Sequence, residues 1–203
     1  MHISEGVLSP PVLLAGGVLT VIGTSIGLKK LDYDRLPHVA VLSSTFFVAS
    51  LIHVPIGPTS VHLILNGLMG LFLGWVSFPA ILVALTLQAI LFQFGGLTTL
   101  GVNTLNMAFP AVICYYLFQA TARSDNLNLS VPASFLAGAG AIFLSSLVTA
   151  TSLVFTEESF WPVAKLIVLA HIPVMIIEGV IVTVTVQFLK KVKPEMLDAA
   201  YVK

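Results

Sequence analysis

Residues 9–28 read SPPVLLAGGVLTVIGTSIGL, a stretch without one charged side chain. A helix rises about 1.5 Å per residue, so a stretch of this length covers the roughly 30 Å hydrocarbon core of a bilayer. Ser9 stands where an N-cap belongs. Pro10 and Pro11 fit the first helical turn, whose N–H groups have no partner inside the helix in any case. Gly16, Gly23 and Gly27 narrow one side of the helix, which in lipid lets a neighbouring backbone come close. No basic segment precedes the stretch and no small-residue cleavage site follows it, so it reads as a retained span and the mature chain is expected to begin at Met1.

The rest of the chain repeats this composition. Of 203 residues, 57% are hydrophobic and 9% charged, with a mean hydropathy of +1.03. Such a chain cannot bury its apolar surface against itself alone, and the apolar runs must face lipid. Further spans are expected at about 38–52, 61–76, 78–92, 105–122, 132–154 and 162–189. The expected fold is therefore all-α, a polytopic membrane helix bundle of about seven transmembrane helices. It is expected as a single transmembrane domain over 1–203, with an extracytoplasmic N-terminal segment at 1–9, the bundle at 10–190 and a cytoplasmic tail at 191–203.

Charge orients the bundle. With seven spans, Lys29, Lys30, Arg35, Arg123, Lys190, Lys191, Lys193 and Lys203 fall on one side and only Lys165 on the other. Basic loops stay in the cytoplasm, so the N-terminus is expected outside and the C-terminus inside, in the cell's inner (cytoplasmic) membrane. The length leaves no room for a soluble ATPase or catalytic domain. A formal net charge of zero gives no basic surface for nucleic acid. Cys114, the single cysteine, lies in an apolar run, where it packs and cannot form an internal disulfide.

Against this background the polar ends stand out, first of all Met1-His2-Ile3-Ser4-Glu5. A free α-amine, the first peptide nitrogen and the Nδ1 of a histidine at position 2 close two chelate rings around one ion. The donors are nitrogens in nearly one plane, which suits Ni(II) or Cu(II) better than oxygen-seeking Mg(II) or Ca(II) or tetrahedral Zn(II). Closing the chelate releases two protons, one from the amine and one from the peptide nitrogen. A fourth ligand and an enclosing pocket are still required, since an isolated terminus simply frays.

His62 is the candidate for the fourth ligand. In His53-Val54-Pro55-Ile56-Gly57-Pro58-Thr59-Ser60-Val61-His62 the prolines and glycine predict a rigid turn, with Ser60 as N-cap and His62 in the first turn of the next helix. There the helix dipole would favour a neutral imidazole. The residues ahead of Ser9 can extend up to roughly 26 Å, enough to carry His2 back to His62. The uncharged run 93–107, rich in Gly, Thr and Asn, is a candidate pocket wall, with Ser60, Asn103, Asn106 and His171 as outer supporting partners. Asn103 and Asn106 also suit capping of the fifth helix. His171 and Glu178 share a face of the last span, where ionisable groups face the bundle interior. Glu178 is expected roughly 24 Å down that helix, far from His62. His38 and His53 have no comparable claim.

Several of these stretches, in order, resemble the substrate-capture subunits of cobalt and nickel energy-coupling-factor transporters, the CbiM/NikM family. They are His2 to Pro10, Gly57 to His62, Gln88 to Phe92 with Gly95-Gly96, Gly101 to Phe109, and Ala170-His171 through Glu178. The resemblance implies a metal held by the Met1 amine, the amide and imidazole nitrogens of His2, and His62. It implies Ni(II) or Co(II) as bound cargo, no catalytic cofactor and no enzymatic activity. It also implies as partners a transmembrane coupling subunit, cytoplasmic ATPase subunits and a small accessory membrane subunit. Two other classes compete. A membrane-embedded metal-dependent hydrolase would need His62, His171 and Glu178 to converge, and a passive channel would line a pore without tight metal binding.

Overall fold

The computed structural model describes residues 2–51, 53–56 and 59–197, apart from the side chains of 53–56, 59–61 and 195. Its α-helices are α1 (Pro10–Lys29), α2 (Leu36–Ala49), α3 (Asn66–Leu73), α4 (Ser77–Phe92), α5 (Leu100–Ala122), α6 (Leu127–Thr156), α7 (Trp161–Ala170) and α8 (Ile172–Val192). Between α2 and α3, β1 (His53–Ile56) and β2 (Thr59–His62) pair antiparallel, His53 opposite His62. Among the described residues, five stretches are long and apolar enough to cross a membrane: 10–29, 66–92, 100–122, 127–156 and 158–192. The helical membrane bundle is as expected; α2, at 14 residues, falls short of that length criterion.

Three helix boundaries differ most from the expected ones. The third helix begins at Asn66, not near residue 61, because 59–62 pairs as a strand and Leu65 adopts a left-handed backbone (φ 56°). The last span is broken at His171, where α7 ends and α8 begins. Pro173 has no N–H to give the preceding turn and disfavours helical backbone before it. The fifth helix begins at Leu100, five residues before the expected start, which puts Asn103 in its first turn.

The bundle is inside out relative to a soluble protein. Leu14, Val21, Ile90, Leu117 and Val184 are exposed around its outside, whereas Asn66, Gln88, Asn103, Asn106, His171 and Glu178 are buried. Polar side chains in a lipid-solvated bundle turn inwards because water is not available on the outside. α6 packs along both α5 and α8, and α1 and α4 pack on α5. Small residues make the closest approaches. A Cβ at Gly70 would stand 2.2 Å from the Ala111 carbonyl oxygen of α5, and one at Gly67 would stand 2.5 Å from the Ala137 carbonyl oxygen of α6. α3 is thereby wedged between its neighbours, and its whole length is buried.

Candidate metal centre

The amino-terminal segment enters the bundle along the run 93–107. α4 ends at Phe92, followed by Gln93 in a left-handed conformation (φ 58°), and the Gln93 and Phe94 N–H groups return to the Ala89 and Gln88 carbonyls at 3.2 and 3.3 Å, which caps the helix. The cap turns the chain into Gly95 (φ 76°), whose carbonyl accepts the Glu5 N–H at 3.1 Å. Glycine is needed there twice over. Its φ disfavours any side chain, and a Cβ would meet Asn103 Nδ2 at 2.9 Å and His2 Cβ at 3.6 Å. From the start of α5, Asn103 holds both sides of Ile3. Its Oδ1 accepts the Ile3 N–H at 2.8 Å, and its Nδ2 donates to the Ile3 carbonyl at 3.0 Å. The Thr99 hydroxyl donates to the same carbonyl at 3.0 Å. The Ile3 side chain has no exposed surface and packs with Leu8, Val102, Leu153 and Ile167. The segment is thus built into the bundle.

Holding Ile3 presents His2, which is only 5% exposed. His2 Nε2 lies 2.8 Å from Gln88 Oε1. The Gln88 amide is oriented by its own NH2 group, which donates to the Phe47 carbonyl at 3.0 Å and to the Ser50 hydroxyl. Its oxygen can only accept, so Nε2 of His2 carries a proton, and in the neutral ring the lone pair is then on Nδ1. Nδ1 is the nitrogen that the two-ring chelate needs. Gln88 is therefore a supporting residue that the expected site did not include, though an uncharged amide inside an apolar helix marks it in the sequence.

His62 arrives from the opposite side, and the His2 and His62 ring centroids are 4.7 Å apart at an interplanar angle of 34°. Its Nδ1 donates to the Leu63 carbonyl at 2.8 Å, which puts the lone pair on Nε2. Burial first, and then the repulsion that any positive charge on its neighbours would add, holds the His62 pKa well below that of an ordinary histidine. Neutral imidazole is the form expected from the sequence, but for another reason. His62 ends a strand, four residues before α3, so burial takes the place of the helix dipole.

The other expected supports divide. Asn103 touches the amino-terminal segment as described. Asn106 instead accepts from the Ser152 hydroxyl of α6 at 3.4 Å, one turn below. His171 donates from Nδ1 to the Ile167 carbonyl of α7 at 2.7 Å. Met1 and the side chain of Ser60 lie outside the described residues. Glu178 is a correction: it is not far from His62, because its carboxylate accepts the N–H groups of Ile64 and Leu65. With His62 at the start of a helix at the membrane face, Glu178 would be remote; instead residues 63–65 after β2 form no helix and reach Glu178 of α8. No group of three or more His, Cys, Asp or Glu side chains gathers as a metal site among the described residues, so the hydrolase triad of His62, His171 and Glu178 is not assembled.

A buried pair of neutral imidazoles with assigned lone pairs is a nitrogen-rich place for a transition-metal ion, and comparison with known proteins points the same way. The family model described as "Cobalt uptake substrate-specific transmembrane region" matches residues 2–196. The chain is 46% identical over 203 residues to a Haemophilus influenzae protein provisionally named a metal transport protein, covering 98% of this chain and 97% of that one. It is 29% identical over 214 residues to the cobalt transport protein CbiM of Sorangium cellulosum, covering 98% and 95%. A 114-residue stretch is 41% identical to the fused nickel transport protein NikMN of Rhodobacter capsulatus, covering 53% of this chain and 33% of that one. A crystal structure of a transition metal transporter superposes with a TM-score of 0.81 at 29% identity, covering 95% of this chain and 93% of that one. The chain belongs to the CbiM family, the substrate-specific transmembrane components of cobalt uptake.

Proposed function

We propose that this protein is the substrate-capture component of an energy-coupling-factor transporter, taking Ni(II) or Co(II) at the outer face of the inner membrane for ATP-driven uptake. The observation that carries this reading is the His2–His62 pair, with rings 4.7 Å apart and the lone pair of His2 directed to Nδ1 by Gln88. The Met1 amine, the His2 amide nitrogen and His2 Nδ1 supply the chelate, and His62 Nε2 supplies the fourth nitrogen. A planar set of nitrogen donors favours d8 Ni(II), with Co(II) next. Cu(II) would bind more tightly on raw affinity, so selectivity comes from the rigid pocket and from which metal the cell supplies.

Energy comes from partners: a transmembrane coupling subunit and cytoplasmic ATPases, with a small accessory membrane subunit. A single bundle of this length supplies the site and the lipid-facing surface that a coupling subunit would grip. Replacing His2 by Ala tests the reading. Purified His2→Ala protein is expected to insert and fold as the parent does and to lose high-affinity Ni(II) binding by equilibrium dialysis. Parental affinity in that variant would sink the proposal.

A further inference from the structure

Glu178 is the only acidic residue within the five membrane-length stretches apart from Glu158 at the outer end of the last one. It has no exposed surface. A carboxylate at such a depth is costly unless it is tied to donors, and here both donors are backbone amides of one unwound segment. Glu178 Oε1 accepts the Ile64 N–H at 2.5 Å and the Leu65 N–H at 2.8 Å. Leu65 holds the left-handed conformation (φ 56°) that a branched side chain disfavours, so the surrounding structure has to impose it.

The Ile64 N–H belongs to the same peptide unit as the Leu63 carbonyl, and that carbonyl accepts from His62 Nδ1 at 2.8 Å. A continuous chain of hydrogen bonds therefore runs from the carboxylate through one peptide group to the imidazole, and its far end is the Nε2 lone pair. Metal-ligating histidines are commonly oriented by a carboxylate or a carbonyl on the other ring nitrogen, and here the two act in series. An ordinary helix cap would not need this arrangement. Capping α3 requires only an acceptor for its first N–H groups, which a serine or asparagine next to it could supply.

We propose that Glu178 is a positioning residue of the metal site: through the Leu63–Ile64 peptide it fixes where His62 presents Nε2 to the chelate formed by Met1 and His2. The inference rests on the proposed metal-capture reading, in which His62 is the fourth ligand. The amino-terminal half of the site is held separately, by Asn103 and Gln88. Loss of Glu178 therefore removes His62 from the metal and leaves the three-nitrogen chelate in place.

The test is the visible d–d spectrum and affinity of Ni(II) bound to purified protein with a free amino terminus, in the parent, His62→Ala, Glu178→Ala, Glu178→Asp and Glu178→Gln. The parent is expected to show a four-nitrogen planar spectrum. Glu178→Ala should reproduce the red-shifted spectrum of His62→Ala, with affinity about 10- to 100-fold weaker than the parent. Glu178→Gln keeps an acceptor oxygen at the same reach and should retain the parental spectrum. Glu178→Asp, one methylene short, should behave like Ala, and it answers the question if the Ala variant does not fold. Parental spectra in both Ala and Asp variants would overturn the proposal, as would loss of all Ni(II) binding in a variant whose melting temperature matches the parent's. A parent whose spectrum does not respond to His62→Ala contradicts the capture reading itself, which separates the two failures.

Discussion

At the scale of single residues, the proposed metal site depends on which ring nitrogen of each histidine carries its proton. Gln88 decides this for His2, because its amide oxygen is held towards the ring by the Phe47 carbonyl and the Ser50 hydroxyl. Replacing Gln88 by Leu keeps the volume and removes the acceptor. The ring can then place its proton on Nδ1, which competes with the metal. Ni(II) affinity, measured by competition with a chelator, is expected to fall by about 10- to 100-fold, while Ni(II) remains bound in the same geometry at saturation. Unchanged affinity would show that Gln88 does not select the tautomer. His2 stands out in the sequence by its position beside the amino end, and His62 and Asn103 by the turn and glycine signals next to them. Gln88 could only be flagged, since its contribution is an orientation that spacing does not encode. Glu178 reads as remote from His62 for the same reason: the path of residues 63–65 is invisible to periodicity.

At the scale of elements, α3 is the piece whose placement fixes the His62 arm. The run Ile64-Leu65 is apolar and continues into Asn66-Gly67-Leu68, so its composition reads as helix, and a short apolar run cannot be told from one by pattern alone. Only the Glu178 carboxylate and the left-handed Leu65 mark where the helix begins. Once formed, α3 is held by its glycines. Gly70→Ala would force a methyl to within 2.2 Å of a backbone oxygen of α5, which no side-chain rotation relieves. It is expected to destabilise the protein by about 1–3 kcal/mol. Gly17→Ala, where a Cβ meets nothing within 4 Å, should leave stability unchanged or raise it slightly. Thermal unfolding of the two variants in detergent checks this. Equal melting temperatures would show that α3 is not locked against α5. The break at His171 has a sequence signal in Pro173 that the apolar character of its flanks obscures.

At the scale of the whole molecule, the membrane bundle was legible from composition alone, because no arrangement of these residues in water could hide so much apolar surface. The orientation rests on the distribution of Lys and Arg. It predicts that residue 158 faces outwards and residue 125 faces the cytoplasm. Both positions are exposed, and the native Cys114 is buried, so a single introduced cysteine can be followed with little background. An impermeant thiol reagent on intact cells should label Glu158→Cys and spare Asp125→Cys until the membrane is permeabilised. The opposite pattern would reverse the bundle and place the histidine pair on the cytoplasmic side.

The central claim is that the chain's own amino end completes the metal site, and blocking that end tests it most directly. Protein purified with a free Met1 amine should bind one Ni(II) per chain with a planar four-nitrogen spectrum, and the same protein with its amine acetylated or extended by a tag should not. Equal Ni(II) affinity and an identical spectrum in the free and blocked forms would contradict the account.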